Sequence, residues 1–158
     1  MITAQPLRAG DLINTEVEAK YGGYIAQALQ PVSLGPRPDA LGKMFDITRV
    51  IFDKLLKPGL AFGAVVAFYR DEVAAAGYEP GDALMHGRGL GEDAPMLFGG
   101  VRDFPESDSK LKEGHVFILK PAAKKGFMRD SIRAGDTVVI ERGGARRLGK
   151  RPLEFLTV

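Results

Sequence analysis

The 158 residues suffice for one folded domain with a core, and their 45% hydrophobic and 27% charged content is ordinary for a globular protein. The net charge of +2 excludes the strong positive field of nucleic-acid-binding and membrane-surface proteins, so neither partner is expected. The chain has no cysteine, no apolar run near the roughly 18 residues of a membrane span and no signal-peptide pattern, which excludes disulfides and makes the cytoplasm the expected location.

The first half of the chain predicts a hairpin followed by two helices. Strand patterns cover residues 12–19 and 24–34, and the glycine pair between them is typical of a hairpin turn. Apolar residues then recur with a period near 3.6 over residues 40–56 and again over residues 62–76, where Gly77 stops the pattern. Both predicted helices are amphipathic, so we expect them to cover a sheet.

The second half predicts further strands. Residues 99–110 are rich in turn formers, whereas the apolar runs at 115–119 and 136–141 are typical of strands. The tail from residue 147 to residue 153 is polar and predicts a loop. A hairpin, two helices and then several strands indicate the α+β class with a mainly antiparallel sheet.

A histidine framed by glycines stands out between these halves. His86 is followed by Gly87, Gly89 and Gly91. Glycine permits positive φ and close backbone approach, so we expect His86 on a bent, thinly covered segment after the second helix. A structural turn with an incidental imidazole is the alternative. The dinucleotide-binding motif fits poorly because no βαβ unit follows.

Four stretches, in this order, resemble the pita-bread family of creatinases, prolidases, aminopeptidases P and methionine aminopeptidases. They are residues 10–24, residues 56–78, residues 86–95, and the two strand segments 111–121 and 133–139. The resemblance implies a partial pita-bread fold over residues 1–158, in which a curved, mainly antiparallel sheet is covered by two helices. The first helical half of the catalytic domain is missing, so an apolar face or strand edge should be exposed and a homodimer is expected.

Active members of that family bind two metal ions through two aspartates, a histidine and two glutamates. Matched by motif, these ligands fall on Glu16, Gln27, His86, Lys120 and Gly135. Only the histidine is retained, and Lys120 places a cation where a carboxylate belongs. Because hard divalent cations need several anionic oxygens, the resemblance implies no dimetal site, and we expect neither a metal nor another cofactor.

Two functions remain open. One is a metal-independent hydrolase of creatinase or aminopeptidase P type, which cleaves amide or C–N bonds of small molecules or X-Pro peptides with His86 and Glu16 as catalytic pair. The other is a catalytically inactive module that binds a peptide or a small ligand. Candidate substrate-binding side chains are Arg88, Asp93, Arg133, Tyr24, Gln27 and Lys120.

Some of these residues have structural alternatives. Arg133 is as well suited to pair with Asp136 across strands as to bind a substrate carboxylate. Tyr24 fits the edge of a core better than a catalytic role, and His115 is expected to be structural.

Lys120 carries the most specific structural prediction. If the fold holds, its ammonium points into the former metal cavity and pairs with Glu16, because an isolated buried charge costs several kcal/mol. The alternative is that the side chain reaches solvent and touches nothing.

Overall fold

A long hairpin opens the fold. The part of the chain that the computed structural model describes comprises residues 6–54, 56–99, 107–126 and 130–158. The hairpin strands are β1 (Leu12–Tyr21) and β2 (Tyr24–Ser33). Gly22 and Gly23 turn the chain at φ of 57° and 90°, a left-handed conformation that glycine adopts without steric penalty. The predicted hairpin is confirmed.

Two helices follow, as predicted. They are α1 (Asp39–Lys54) and α2 (Phe62–Ala75), and Gly77 at φ 81° lies just beyond the second. Residue 55 of the predicted first helix lies outside the described residues. Neither described helix has the length and apolar content that crossing a bilayer requires.

The rest of the chain contains more strands than the sequence predicted. In the described part of the chain they are β3 (Glu79–Pro80), β4 (Ala83–Arg88), β5 (Glu92–Phe98), β6 (Val116–Leu119), β7 (Ala122–Lys125), β8 (Asp130–Arg133), β9 (Gly135–Glu141), β10 (Gly144–Arg147) and β11 (Leu156–Thr157). The strands predicted at 115–119 and 136–141 are confirmed as β6 and β9. Of the loop predicted at 99–110, residues 100–106 lie outside the described residues. The loop predicted at residues 147–153 contains no helix or strand except at Arg147, where β10 ends.

The strands form one large and one small sheet. The large sheet has the order β1-β2-β9-β6-β4-β5, with β10 beside β9 and β11 beside β2, and the small sheet has the order β3-β7-β8. The named pairs are antiparallel except β11 with β2. Helix α1 contacts β7 and β8, and α2 contacts β3 and β5. This is the predicted α+β fold, a curved and mainly antiparallel sheet with two helices.

The two faces of the large sheet differ in character because side chains alternate along each strand. One face carries buried apolar residues that join the helices in the core, among them Met85, Phe117, Leu119, Val138 and Ile140. The other face carries polar side chains. The matched positions Glu16, Gln27 and His86 therefore share the face opposite the one that joins the helices.

His86 lies in strand β4, which corrects the prediction of a bent, thinly covered segment. The side chain is only 1% exposed. The glycine beside it serves close strand approach instead of exposure, since a Cβ on Gly87 would lie 2.8 Å from the carbonyl oxygens of both Asp93 and Ala94 on β5.

The hydroxyl of Tyr69 joins α2 to the small sheet. It donates to the carbonyl of Ala122 at 2.5 Å and lies 3.3 Å from the carbonyl of Gly81, while the Ala122 N–H donates to it at 3.3 Å. The residue is fully buried. Burial raises the pKa of Tyr69 to about 12.

We expect Tyr69→Phe to lower the free energy of unfolding by about 1–3 kcal/mol, because buried backbone groups lose their partner. Above pH 10 the unfolded tyrosine ionises while the folded one stays protonated to about pH 12, so the wild type loses stability over this window. The difference between the two proteins should therefore shrink as pH rises from 10 to 12. Urea denaturation measures both effects, and Tyr21→Phe at a 91% exposed position is the control. A gap that is constant with pH would contradict the role of the hydroxyl.

Candidate functional site

The polar face of the large sheet brings the matched positions together. Strand register places Glu16 opposite Leu29, which in turn lies opposite Gly135. His86 lies opposite Ile118, two residues before Lys120. By alternation this face carries Glu16 and Glu18 from β1, Gln27 from β2, Gly135 and Thr137 from β9, Lys120 after β6, and His86 and Arg88 from β4. Sequence matching alone had grouped five of these eight.

Lys120 and Glu16 form the predicted ion pair. The ammonium Nζ donates to Glu16 Oε1 at 3.1 Å. The lysine side chain is 9% exposed and that of the glutamate 39% exposed, so the pair is buried at its cationic end only. Arg133 adds a second, weaker cation, with Nη1 at 4.0 Å from Glu16 Oε2. The alternative, in which Lys120 reaches solvent and touches nothing, is wrong.

Gln27 links this pair to a second one. Its amide nitrogen donates to Glu16 Oε1, and its amide oxygen accepts from Arg88 Nε at 3.1 Å and Nη2 at 2.5 Å. Arg88 also donates to Glu18 and to the carbonyl of Gly91. The Arg88 side chain is 1% exposed. All three guanidinium nitrogens are thus held by the protein, which makes this residue a poor candidate for free ligand binding.

The ring of His86 is held as a neutral base. Nδ1 lies 3.0 Å from the carbonyl of Gly87, and since a carbonyl can only accept, Nδ1 carries the proton. Nε2 is then an acceptor, and it is buried without a hydrogen-bond partner among the described residues. Burial lowers the pKa of His86 below its ordinary 6.5, and the positive charges of Lys120 and Arg88 lower it further. The imidazole is therefore uncharged at neutral pH.

The direct His86–Glu16 contact that the sequence suggested is replaced by an indirect one. Among the described side chains, Glu16 bonds to Gln27 and Lys120, and no hydrogen bond joins it to His86. Lys120 acts on both groups, through its ion pair with Glu16 and through its field at His86. The ammonium is the connecting element of the site.

The geometry shows whether the residues at the matched positions could hold the family's metal ions. Glu16, the one carboxylate at a matched position, accepts hydrogen bonds from the Lys120 ammonium and the Gln27 amide. At Gly135 the space of a side chain is filled, since a Cβ there would lie 2.9 Å from Leu29 Cδ1 and 3.0 Å from Lys120 Cβ. Across the described ranges, no group of three or more His, Cys, Asp or Glu side chains is placed to hold a metal ion. The residues present do not fit a dinuclear centre.

The other candidates lie around the network. Arg133 does not pair with Asp136, whose carboxylate instead accepts from Arg147 at 2.8 Å and 3.0 Å, so that alternative for Arg133 is wrong. Asp93 is exposed on β5 and borders a cavity of about 150 Å³ together with Arg88. His115 packs its ring edge-on against Phe117, in keeping with the structural role expected of it.

A larger cleft of about 450 Å³ opens beside Arg88. Its lining is largely apolar and includes Tyr21, Tyr24, Ile25, Val116 and Leu148. Tyr24 is 66% exposed at the hairpin end, which corrects its expected place at the edge of a core. We call this cavity the hairpin cleft.

Two residues of the site were not among the candidates that the sequence suggested. Glu18 holds Arg88, and Thr137 exchanges hydrogen bonds with the backbone of Gln27 at 2.8 Å and 3.0 Å. The signal for Glu18 was present, because it lies two residues after Glu16 in a predicted strand and so shares its face. Thr137 likewise lies two residues after the matched position Gly135, but its hydrogen bonds bridge β9 and β2, a role that the sequence did not indicate.

Known proteins share both the sequence pattern and the fold of this chain. Residues 2–142 match the sequence profile of metallopeptidase family M24. The chain is 29% identical over 163 residues to the uncharacterized peptidase YqhT of Bacillus subtilis, covering 95% of this chain and 42% of that protein. It is 25% identical over 162 residues to the Xaa-Pro dipeptidase of Pyrococcus furiosus, covering 95% and 43%.

The fold is also that of a solved relative. The X-Pro aminopeptidase from Thermotoga maritima superposes with a TM-score of 0.83 at 25% identity, covering 96% of this chain and 43% of that one. The chain therefore spans less than half the length of the curated relatives that it matches.

We expect Lys120→Met and Glu16→Gln each to destabilise the fold by about 1–3 kcal/mol, between the values for exposed and for fully buried pairs. The double variant should recover much of the loss, since no charge is then left unpaired. Urea denaturation of the four proteins gives the coupling energy.

The exposed pair of Arg146 and Glu141, at 2.6 Å, is the matched control. The same neutralising changes there should cost less than about 1 kcal/mol. Additive effects of control size at Lys120 and Glu16 would show that their pair contributes nothing.

Proposed function

Because the chain belongs to metallopeptidase family M24, we propose that it is a metal-independent hydrolase of amide or C–N bonds, acting on small molecules or X-Pro peptides. The observation that carries the proposal is the neutral, buried imidazole of His86, whose Nε2 is an acceptor without a partner in the described part of the chain. A general base must be unprotonated at the working pH and within reach of a proton to abstract. His86 meets the first condition by its lowered pKa.

The reaction needs a water molecule, a base and a group that stabilises negative charge. His86 Nε2 takes a proton from the water, whose oxygen bonds to the substrate carbonyl carbon. The charge that develops on the carbonyl oxygen is stabilised by the Lys120 ammonium, which has further N–H groups besides the one given to Glu16. The C–N bond then breaks, and the proton passes from the imidazolium to the leaving nitrogen.

Glu16 is the positioning residue in this scheme. Its carboxylate holds Lys120 at 3.1 Å, and Gln27 holds the carboxylate in turn. The ammonium thereby occupies the place in the sheet where the family resemblance puts a metal ligand. It supplies positive charge to the site without a bound ion, which supports the proposal that no metal cofactor is used.

Substrate binding falls to the outer part of the site. Arg133 has a side chain that is 37% exposed and lies only at 4.0 Å from Glu16, so its donors are available to a substrate carboxylate. Arg88, held by Glu18 and Gln27, instead stiffens the wall of the hairpin cleft. Tyr24 lines the same cleft and offers an apolar surface to a peptide side chain.

A non-catalytic binding module is the second candidate. It is favoured by the completeness of the ion pairs, since Glu16 and Arg88 are both engaged by protein groups and not directed at a ligand. In that case the hairpin cleft binds a peptide or small ligand that is not turned over.

We also propose that the protein forms a homodimer through strand β1. This strand ends the order of the large sheet and is mostly exposed. Val17 and Tyr21 on it are 61% and 91% exposed. An exposed edge strand with apolar side chains is a template for pairing with a second strand.

We expect X-Pro dipeptides or small amides and ureas to be hydrolysed at a rate that survives EDTA, by protein that holds far less than about one Mn, Co or Zn per chain on elemental analysis. His86→Gln should lower kcat at least about 100-fold. The rate should rise with pH through a midpoint below 6.5, where the imidazole loses its proton.

His115→Gln, the same change at the other of the two histidines, should leave kcat unchanged. A rate abolished by EDTA and restored by Mn²⁺ or Co²⁺ would refute metal independence. Saturable peptide binding without turnover would establish the second candidate instead.

We expect light scattering to give the mass of a dimer at micromolar concentration, and Val17→Lys to shift it to the monomer by placing a charge on the exposed edge. Leu7→Lys, at a 64% exposed site outside β1, should leave the dimer intact. A monomer mass for the wild type would disprove the assembly.

A further inference from the structure

A second cavity lies on the opposite side of strand β9 from the polar network. Its volume is about 410 Å³, within the range of roughly 300–1,000 Å³ typical of small-molecule sites. Val138 lines this cavity, whereas the adjacent Thr137 lines the hairpin cleft. Because side chains alternate along a strand, the two cavities are separate. We call this one the helix-side cavity.

The lining of the helix-side cavity combines apolar side chains with four cations. The apolar part consists of Phe52, Leu56, Val138, Ala145 and Leu153. The cations are Arg49, Lys54, Lys57 and Arg147, and the described lining contains no acidic side chain. The tip of the β9–β10 hairpin, at Gly143 and Gly144, closes one side.

Among the described side chains, the charges of the cavity are not balanced. Arg147 and Arg49 have carboxylate partners, at 2.8 Å and 4.0 Å. Among the side chains that the structure describes, Lys54 and Lys57 form no ion pair. Two ammonium groups that share a lining with apolar side chains suit a ligand that has one negative group and one apolar part.

We propose that the helix-side cavity binds a small amphipathic anion, a carboxylate or phosphate group carried on an aliphatic or aromatic chain. The anionic group lies between Lys54 and Lys57, and the chain packs on Phe52 and Leu153. A neighbouring cavity of about 340 Å³ shares the two lysines and is lined by Leu60, Ala64 and Phe68, which gives a longer chain a second path. The proposal does not depend on hydrolysis at His86.

Calorimetry with three probes tests both parts of the ligand. Octanoate should bind at one site per chain, while inorganic phosphate and octanol should each bind at least about tenfold more weakly. Equal affinity for phosphate would overturn the apolar part of the proposal, and equal affinity for octanol would overturn the anionic part. Octanoate that shows no saturable binding below about 10 mM would overturn the site.

Two charge variants then locate the site. The Lys54→Gln, Lys57→Gln double variant should weaken octanoate at least about tenfold, whereas Lys43→Gln, at an exposed position of α1 outside the cavity, should leave the affinity unchanged. All three positions are exposed, so thermal melting should match the wild type. NMR amide shifts should centre on Gly143 and Gly144. Shifts centred on Tyr24 and Arg88, or equal losses in both variants, would place octanoate elsewhere and overturn the proposal.

Discussion

The polar face of the large sheet must neutralise its own charges, and the rest of the site follows from how it does so. Lys120 is 9% exposed and Arg88 is 1% exposed, so each cation needs a partner inside the fold. Glu16 and Glu18 supply these partners from alternate positions on the same face of β1. Gln27 joins the two pairs into one chain of hydrogen bonds. Such a chain is stable only when every member is satisfied.

This network also sets the chemistry that remains. Burial lowers the pKa of His86, and the positive charges of Lys120 and Arg88 lower it further, so the same cations that close the network help to keep the imidazole neutral. The site thus combines an uncharged base with a fixed positive charge. A metal centre would likewise supply a base and a positive charge, so the residues at the matched positions are consistent as a set.

The two sides of β9 separate this chemistry from the second proposed site. Thr137 faces the network and Val138 faces the helices, so adjacent residues line different cavities. Asp136, on the helix side, accepts hydrogen bonds from Arg147. This pairing holds the Arg147 guanidinium away from the polar network. The alternation that builds the core therefore also keeps the two sets of cations apart.

Local patterns in the sequence were enough for the hairpin, both helices and strands β6 and β9, because period and turn residues report directly on elements of that kind. The family resemblance placed Glu16, Gln27, His86 and Lys120 at one site, and the need of a buried ammonium for a carboxylate partner then predicted the Lys120–Glu16 pair. The sequence could not place His86 in a strand, since the bulged pairing of β4 with β5 has no regular period. Nor could it exclude an Arg133–Asp136 pair. Tertiary structure decided both matters, because strand register determines which face a side chain takes and which charge it meets.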